Sequence, residues 1–301
     1  MSATTLVHPI NSLTNAFTST HSYLSTQTFI DLHELSKQSQ WPLTYSLYPI
    51  LISIGYYAAI HLFQPTVQEA KQYKQAQIEY KQQLKLQGKQ KPWNTVDWLV
   101  LLHNVILCIF SGVIFYYSFG EMYRNYRLHG FTYSVCHGWT GNVLKNCHYA
   151  FYLSKYYEYF DTVILLMKRQ RPILLSKYHH FGAVLIMWIL VLTEAPAGWI
   201  FTVFNSFIHT FMYAYYIGTL LNYRPPFKNL ITISQLTQFV TGVAMAYHVS
   251  VMCAQSDAQK LGTLATVSYT LSLIVLFANF YYHTYLVKPN KVSPPQNKKS
   301  Q

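Results

Sequence analysis

The sequence predicts an all-α, polytopic membrane protein with about seven transmembrane helices, and three observations lead there. Seven apolar stretches recur along the 301 residues, each close to the ~20 residues a helix needs to cross the hydrocarbon core. The composition agrees, at 51% hydrophobic and only 11% charged residues, too few charges to solvate the surface of a water-soluble domain. Lysine and arginine also crowd into alternate connections, as they do when positive residues set the orientation of a membrane chain.

Taken in order, residues 1–42 form a polar, Ser/Thr-rich segment. It lacks a basic start followed by an apolar run, so no cleavable signal peptide is expected. The membrane domain covers 43–288, with spans near 43–63, 97–117, 147–167, 173–193, 199–221, 230–253 and 262–286, separated by polar loops that include one long stretch between the first two. A basic tail occupies 289–301. One set of connections holds Lys71, Lys74, Lys81, Lys85, Lys89 and Lys91, then Lys168, Arg169 and Arg171, then Arg224 and Lys228, then the tail lysines. The opposite set has Lys37, Arg124, Arg127, Lys145 and Lys260. With an odd number of spans, this bias places the N-terminal segment in the lumen and the tail in the cytosol. The net charge of +12 then reflects topology and attraction to anionic headgroups, and nucleic-acid binding is not expected.

The informative residues are the polar ones inside the apolar spans, where an ionisable group costs roughly 2.5 kcal/mol or more near a helix centre. Lys155, Glu158, Asp161 and Thr162 lie in the third span, His179 and His180 in the fourth, Asn205, His209 and Tyr213 in the fifth, and Gln235 and Gln238 in the sixth. At ~1.5 Å per residue, Asp161 and His179 sit roughly 9 Å from the cytosolic end of their spans, Gln238 roughly 12 Å and His209 roughly 18 Å. Helices running in opposite directions therefore deliver these groups to one slab. Each group also has a structural reading: an ion-pair network between helices, helix packing by the histidines, an interfacial belt for the tyrosines, interhelical hydrogen bonds for the glutamines. Their common depth favours a shared site.

Four segments, K-Y-Y-E-Y-F-D-T (155–162), Y-H-H (178–180), N-S-F-I-H-T-F-M-Y-A-Y-Y (205–216) and T-I-S-Q-L-T-Q (232–238), together resemble the signature boxes of the ELO family of very-long-chain and polyunsaturated fatty acid elongases. L-H-N (102–104) and F-A-N-F-Y-Y-H-T-Y-L-V-K (277–288) resemble flanking family patterns. The histidine box departs from the family's usual H-x-x-H-H, because Ser176 stands at its first position. That departure leaves His179 and His180 untouched.

The resemblance implies a helical bundle in which spans two to seven enclose an acyl-chain tunnel and the first span packs outside. It also implies the condensing reaction, in which acyl-CoA and malonyl-CoA give 3-oxoacyl-CoA, carbon dioxide and CoA. Cysteine, the usual acyl carrier of soluble condensing enzymes, is poorly placed: Cys108 is deep in the second span, and Cys136, Cys147 and Cys253 are near lumenal ends. Imidazole is then the expected nucleophile. His179 and His209 take the roles of nucleophile and acid–base partner, in an order left open, and His180 orients its neighbour or the thioester. Asn205, Tyr213, Gln235 and Gln238 are expected to donate to carbonyl and enolate oxygens. Lys155, Glu158 and Asp161 would balance charge, with Lys155 available to the malonyl carboxylate. Lys168, Arg169, Arg171, Arg224 and Lys228 would meet CoA phosphates at the mouth, or serve only as topology determinants.

No metal and no resident cofactor are expected; malonyl-CoA is a co-substrate. Expected partners are long-chain acyl-CoA, malonyl-CoA, the lipid bilayer, the ketoreductase, dehydratase and enoyl reductase of the elongation cycle, and a second copy in a homodimer. Lys298 and Lys299, third and fourth from the end, fit a dilysine retrieval signal of the endoplasmic reticulum. A disulfide from the loop before the third span to the end of the sixth is expected on the lumenal side. Two other classes fit less well. A di-iron desaturase or hydroxylase needs closely spaced histidine ligands, yet no two of the 13 histidines stand three to five residues apart. A seven-span receptor or carrier would fit the topology but needs no chemistry in the slab.

Overall fold

The computed structural model describes residues 26–223, 226 and 228–287, and among them every regular element is helical. The N-terminal segment, expected to be simply polar, contributes helix α1 (Thr26–Gln38), which buries Leu32 in the core. The backbone that follows is fastened to the bundle by three side-chain donors: Tyr149 to the carbonyl of Pro42 at 2.9 Å, Tyr152 to that of Leu43 at 2.7 Å, and Trp188 to that of Thr44 at 2.7 Å. Aromatic donors and loop carbonyls thus satisfy each other.

Helix α2 (Leu47–Phe63) stops before Pro65, and the chain bends by 70° into α3 (Val67–Leu86). The sequence reads this stretch as a polar loop. A capping box between Thr66 and Glu69, followed by Gln, Lys, Ala, Glu and Leu, makes it helical without burying any residue. A second capping box, Asn94 with Asp97, starts α4 (Thr95–His129). Its 35 residues rise roughly 52 Å, well beyond the ~30 Å hydrocarbon thickness. The short α5 (Phe131–Cys136) leads to α6 (Asn142–Tyr157) and α7 (Tyr159–Met167), so the expected third span is interrupted at Glu158. Then come α8 (Leu174–Thr193), α9 (Pro196–Leu220) with its proline at the first turn, α10 (Lys228–Met252), and α11 (Asp257–Tyr281), which ends in a π turn, Tyr282–Leu286.

Four helices, α4, α8, α10 and α11 with its π extension, are each long and apolar enough to cross a membrane, and the bent α2–α3 pair makes a fifth candidate. Of the two other expected spans, α6–α7 is split at Glu158 into helices of 16 and 9 residues, and α9, 25 residues long, carries Asn205, His209 and Tyr213 in its apolar run. The protein is an all-α, multi-pass membrane protein. Helix α9 packs along α4 and α10 and also meets α6 and α11, while α8 packs on α11, α6 and α2. Helix α2 rests mainly on α8 and α7, in keeping with the outlying first span that the resemblance implies. The expected bridge is present between Cys136 and Cys253, and Cys108 and Cys147 are free thiols. Lys145 pairs with Glu194 at 2.8 Å.

Candidate active site

The interruption at Glu158 aims two charged side chains inward. Lys155 and Glu158 are 3% and 2% exposed and pair at 2.7 Å, and the Lys155 ammonium lies 3.8 Å from the centre of the Phe151 ring. Ser154 adds a hydrogen bond to the same carboxylate oxygen at 3.3 Å, and Lys155 donates to Asn205 Oδ1 at 3.4 Å. A charge pair withdrawn this far from water persists only with partners on both sides. Lys155, expected to be free for a substrate carboxylate, is therefore already engaged.

His209 of α9 brings its Nδ1 to 3.8 Å from Glu158 Oε1, too far for a hydrogen bond, and that buried nitrogen has no other partner. His179 of α8 completes the group, and one ligand-type atom from each of Glu158, His179 and His209 lies within 4.8 Å of the others. These three could close on a cation, although Lys155 now occupies one oxygen of the carboxylate. His180, also buried, is turned toward the edge of Tyr56. Ser176 lies one turn from His179, toward the face that carries the basic loops.

Asp161 belongs to a separate set. It accepts from His103 at 2.9 Å and from the Tyr213 hydroxyl at 3.0 Å. Tyr213 was expected to donate to a reacting oxygen, but its proton is committed to Asp161. His103 received no role from the sequence, although an ionisable residue inside the apolar second span was the available signal. Thr162 bonds the hydroxyl of Tyr56 at 2.8 Å, helping to hold α2 against the site.

Tyr269 of α11 is the other residue the sequence did not single out. Its hydroxyl donates to the His179 carbonyl at 2.8 Å and lies 3.5 Å from His179 Nδ1. The ring fits there because Gly182 faces it: a Cβ on that glycine would fall 2.3 Å from Tyr269 Cε2. Gly182→Ala should push Tyr269 away and let His179 drift, lowering activity roughly tenfold to a hundredfold. Tyr269→Phe in the same chain keeps the clashing ring atom and should recover none of that loss, measured as product formed per folded enzyme.

The glutamines divide. Gln238 is buried with Oε1 unpartnered, while Gln235 directs its Nε2 to the Met212 sulfur at 3.5 Å. At the outer end, Lys168 is half-buried, Arg169 is exposed in a left-handed conformation (φ 50°), and Arg171 reaches the Pro65 carbonyl at 3.4 Å. Lys228 lies 6.0 Å from the centre of the Tyr285 ring. Arg224, Lys288 and the tail with Lys298 and Lys299 lie outside the described residues.

Lys155, His179 and Asn205 line one part of a narrow cavity of about 60 Å³. Its remaining wall is largely apolar, with Ile186, Met187, Leu190, Phe201 and Leu273 among the lining residues. The arrangement combines free imidazole nitrogen, a fixed positive charge and an apolar recess.

The family model described as "ELO: GNS1/SUR4 family" matches residues 41–293. Fatty acid elongase sre1 of Dictyostelium discoideum is 36% identical over 203 residues, covering 65% of this chain and 76% of that protein. Fatty acid elongase A of the same organism is 27% identical over 259 residues, 84% of this chain and 88% of its own length. Very long chain fatty acid elongase 6 of Homo sapiens is 31% identical over 172 residues, 54% of this chain and 64% of the human protein.

Proposed function

The chain belongs to the ELO (GNS1/SUR4) family and is a fatty acid elongation enzyme, and on that premise we propose that it performs the condensing step as a 3-oxoacyl-CoA synthase. Acyl-CoA and malonyl-CoA would give 3-oxoacyl-CoA, carbon dioxide and free CoA. The observation that carries this reading is the meeting of a half-buried imidazole, His179, and a buried one, His209, with an anchored Lys–Glu pair beside an apolar cavity.

In the first half-reaction an imidazole nitrogen of His179 or His209 attacks the thioester carbon. The C–S bond breaks, the ring N–H proton passes to the departing sulfur, and CoA leaves as the thiol with a neutral acyl-imidazole behind. In the second half-reaction malonyl-CoA loses carbon dioxide, and the freed electron pair becomes an enolate. Its carbon attacks the acyl carbon, the C–N bond breaks, and the leaving nitrogen takes a proton from solvent. Gln238, with an unpartnered oxygen and an amide able to donate, and Asn205 are the neutral side chains nearest this role. Lys155 holds Glu158 and Asn205 in place and offers positive charge to developing oxyanions.

The acyl-CoA substrate and a membrane setting follow from the family. The endoplasmic reticulum, a cytosolic C-terminus, a homodimer and the other enzymes of the cycle belong to the proposal, supported by the lysine bias of one face and by the tail sequence. Malonyl-CoA is the co-substrate in this reading, with no resident cofactor.

With purified enzyme and acyl-CoA alone, free CoA should appear in an amount matching the enzyme. A peptide containing His179 or His209 should gain the mass of the acyl chain. Release of CoA only after malonyl-CoA is added would rule out the acyl-imidazole route.

A further inference from the structure

Glu158, His179 and His209 offer one carboxylate oxygen and two imidazole nitrogens that all lie within 4.8 Å of one another. A tetrahedral zinc ion holds such ligands at ~2.0–2.2 Å, which sets them roughly 3.3 Å apart. His209 Nδ1 and Glu158 Oε1, at 3.8 Å, are already near that spacing, and the nitrogen is buried without a hydrogen-bond partner. Two histidines and one carboxylate, with a fourth position left over, are a donor set that zinc-type ions take. One group stands against a metal here. The Lys155 ammonium lies 2.7 Å from Glu158 Oε1 and 3.4 Å from Asn205 Oδ1, and the side chain is only 3% exposed. A tethered cation thus already sits between the two oxygens nearest the histidines. A divalent ion entering beside it would bring like charges together where water screens them poorly.

We propose that Glu158, His179 and His209 form a latent site for a divalent transition metal, zinc above all, and that Lys155 keeps it closed. Its consequence rests on the elongase reading. An imidazole whose lone pair binds a metal cannot attack a thioester, so shutting the metal out keeps both rings reactive. If Lys155 served only to neutralise Glu158, its removal would strand a carboxylate but would not create metal affinity at the two histidines. With the ammonium gone, a metal ion repays the cost of the buried carboxylate and gains both imidazoles.

The test uses untagged full-length enzyme in lipid nanodiscs, with Co2+ as the probe because its tetrahedral complexes absorb strongly in visible light. Lys155→Met should bind one Co2+ per chain at least about a hundredfold more tightly than wild type, and Zn2+ should displace it. Adding His179→Ala or His209→Ala to that variant should abolish the cobalt band. Zn2+ should raise the thermal midpoint of Lys155→Met and leave that of wild type unmoved. Lys155→Gln, neutral but polar, should do the same, so the result does not hang on one variant. Cobalt affinity equal to that of wild type, or a band that survives both histidine substitutions, overturns the site. So does loss of the fold in both lysine variants with Zn2+ present, since the metal should replace the missing charge. Wild-type condensation should be insensitive to Zn2+ at concentrations that saturate Lys155→Met, and inhibition there would show that Lys155 closes nothing. If the cobalt results hold but wild type condenses no acyl donor, the metal site stands and the elongase reading falls.

Discussion

His179→Ala and His209→Ala should each reduce condensation by about 10³-fold or more, while Ser176→Ala keeps most of the wild-type rate. The two histidines come from different helices and converge on Glu158, so each loss removes a group from the reacting volume itself. Ser176 is a turn away, and no base is paired with its hydroxyl among the described residues. Microsomal assays with acyl-CoA and labelled malonyl-CoA, normalised to folded protein, would measure all three. Equal inactivity of Ser176→Ala would show that the serine of the histidine box does chemical work and would sink this assignment.

The second large effect concerns stability. Lys155→Met should lower it by about 3–5 kcal/mol, because it strands the Glu158 carboxylate in a site excluded from water. Glu158→Leu should do similar damage by stranding the ammonium. The double variant Lys155→Met/Glu158→Leu should regain much of the loss, since two apolar side chains can pack where the pair was, yet it should remain inactive. Thermal unfolding in detergent would separate these outcomes. A double variant as unstable as the sum of the singles would mean that the pair contributes packing rather than mutual neutralisation.

The sequence located the spans where apolar runs are long, and α8, α9 and α10 begin and end within a few residues of the expected limits. It did not reveal α1 or α3, because a helix that lies outside the apolar slab leaves no long apolar run to detect. At the site, the polar groups of α6, α8 and α9 were legible because ionisable residues stand out against an apolar background. Their pairing was not. Their common depth suggested a single shared site, whereas the structure gives Glu158 to Lys155 and Asp161 to His103 and Tyr213. Tyr269 could not have been chosen from 27 tyrosines, since its role comes from its hydroxyl reaching His179, a contact made across the bundle where Gly182 leaves room for the ring.

The Cys136–Cys253 bond joins residues 117 positions apart in sequence, and this separation imposes an order on biosynthesis. A growing chain can place Cys136 early, but its partner emerges only after α6, α7, α8, α9 and α10 have been made and threaded. The bond therefore cannot close until the sixth expected span is across, on the same side as the second span's far end. Non-reducing migration of chains arrested at successive lengths would then act as a clock for insertion, with the fast-migrating, cross-linked form absent until the ribosome has passed well beyond residue 253.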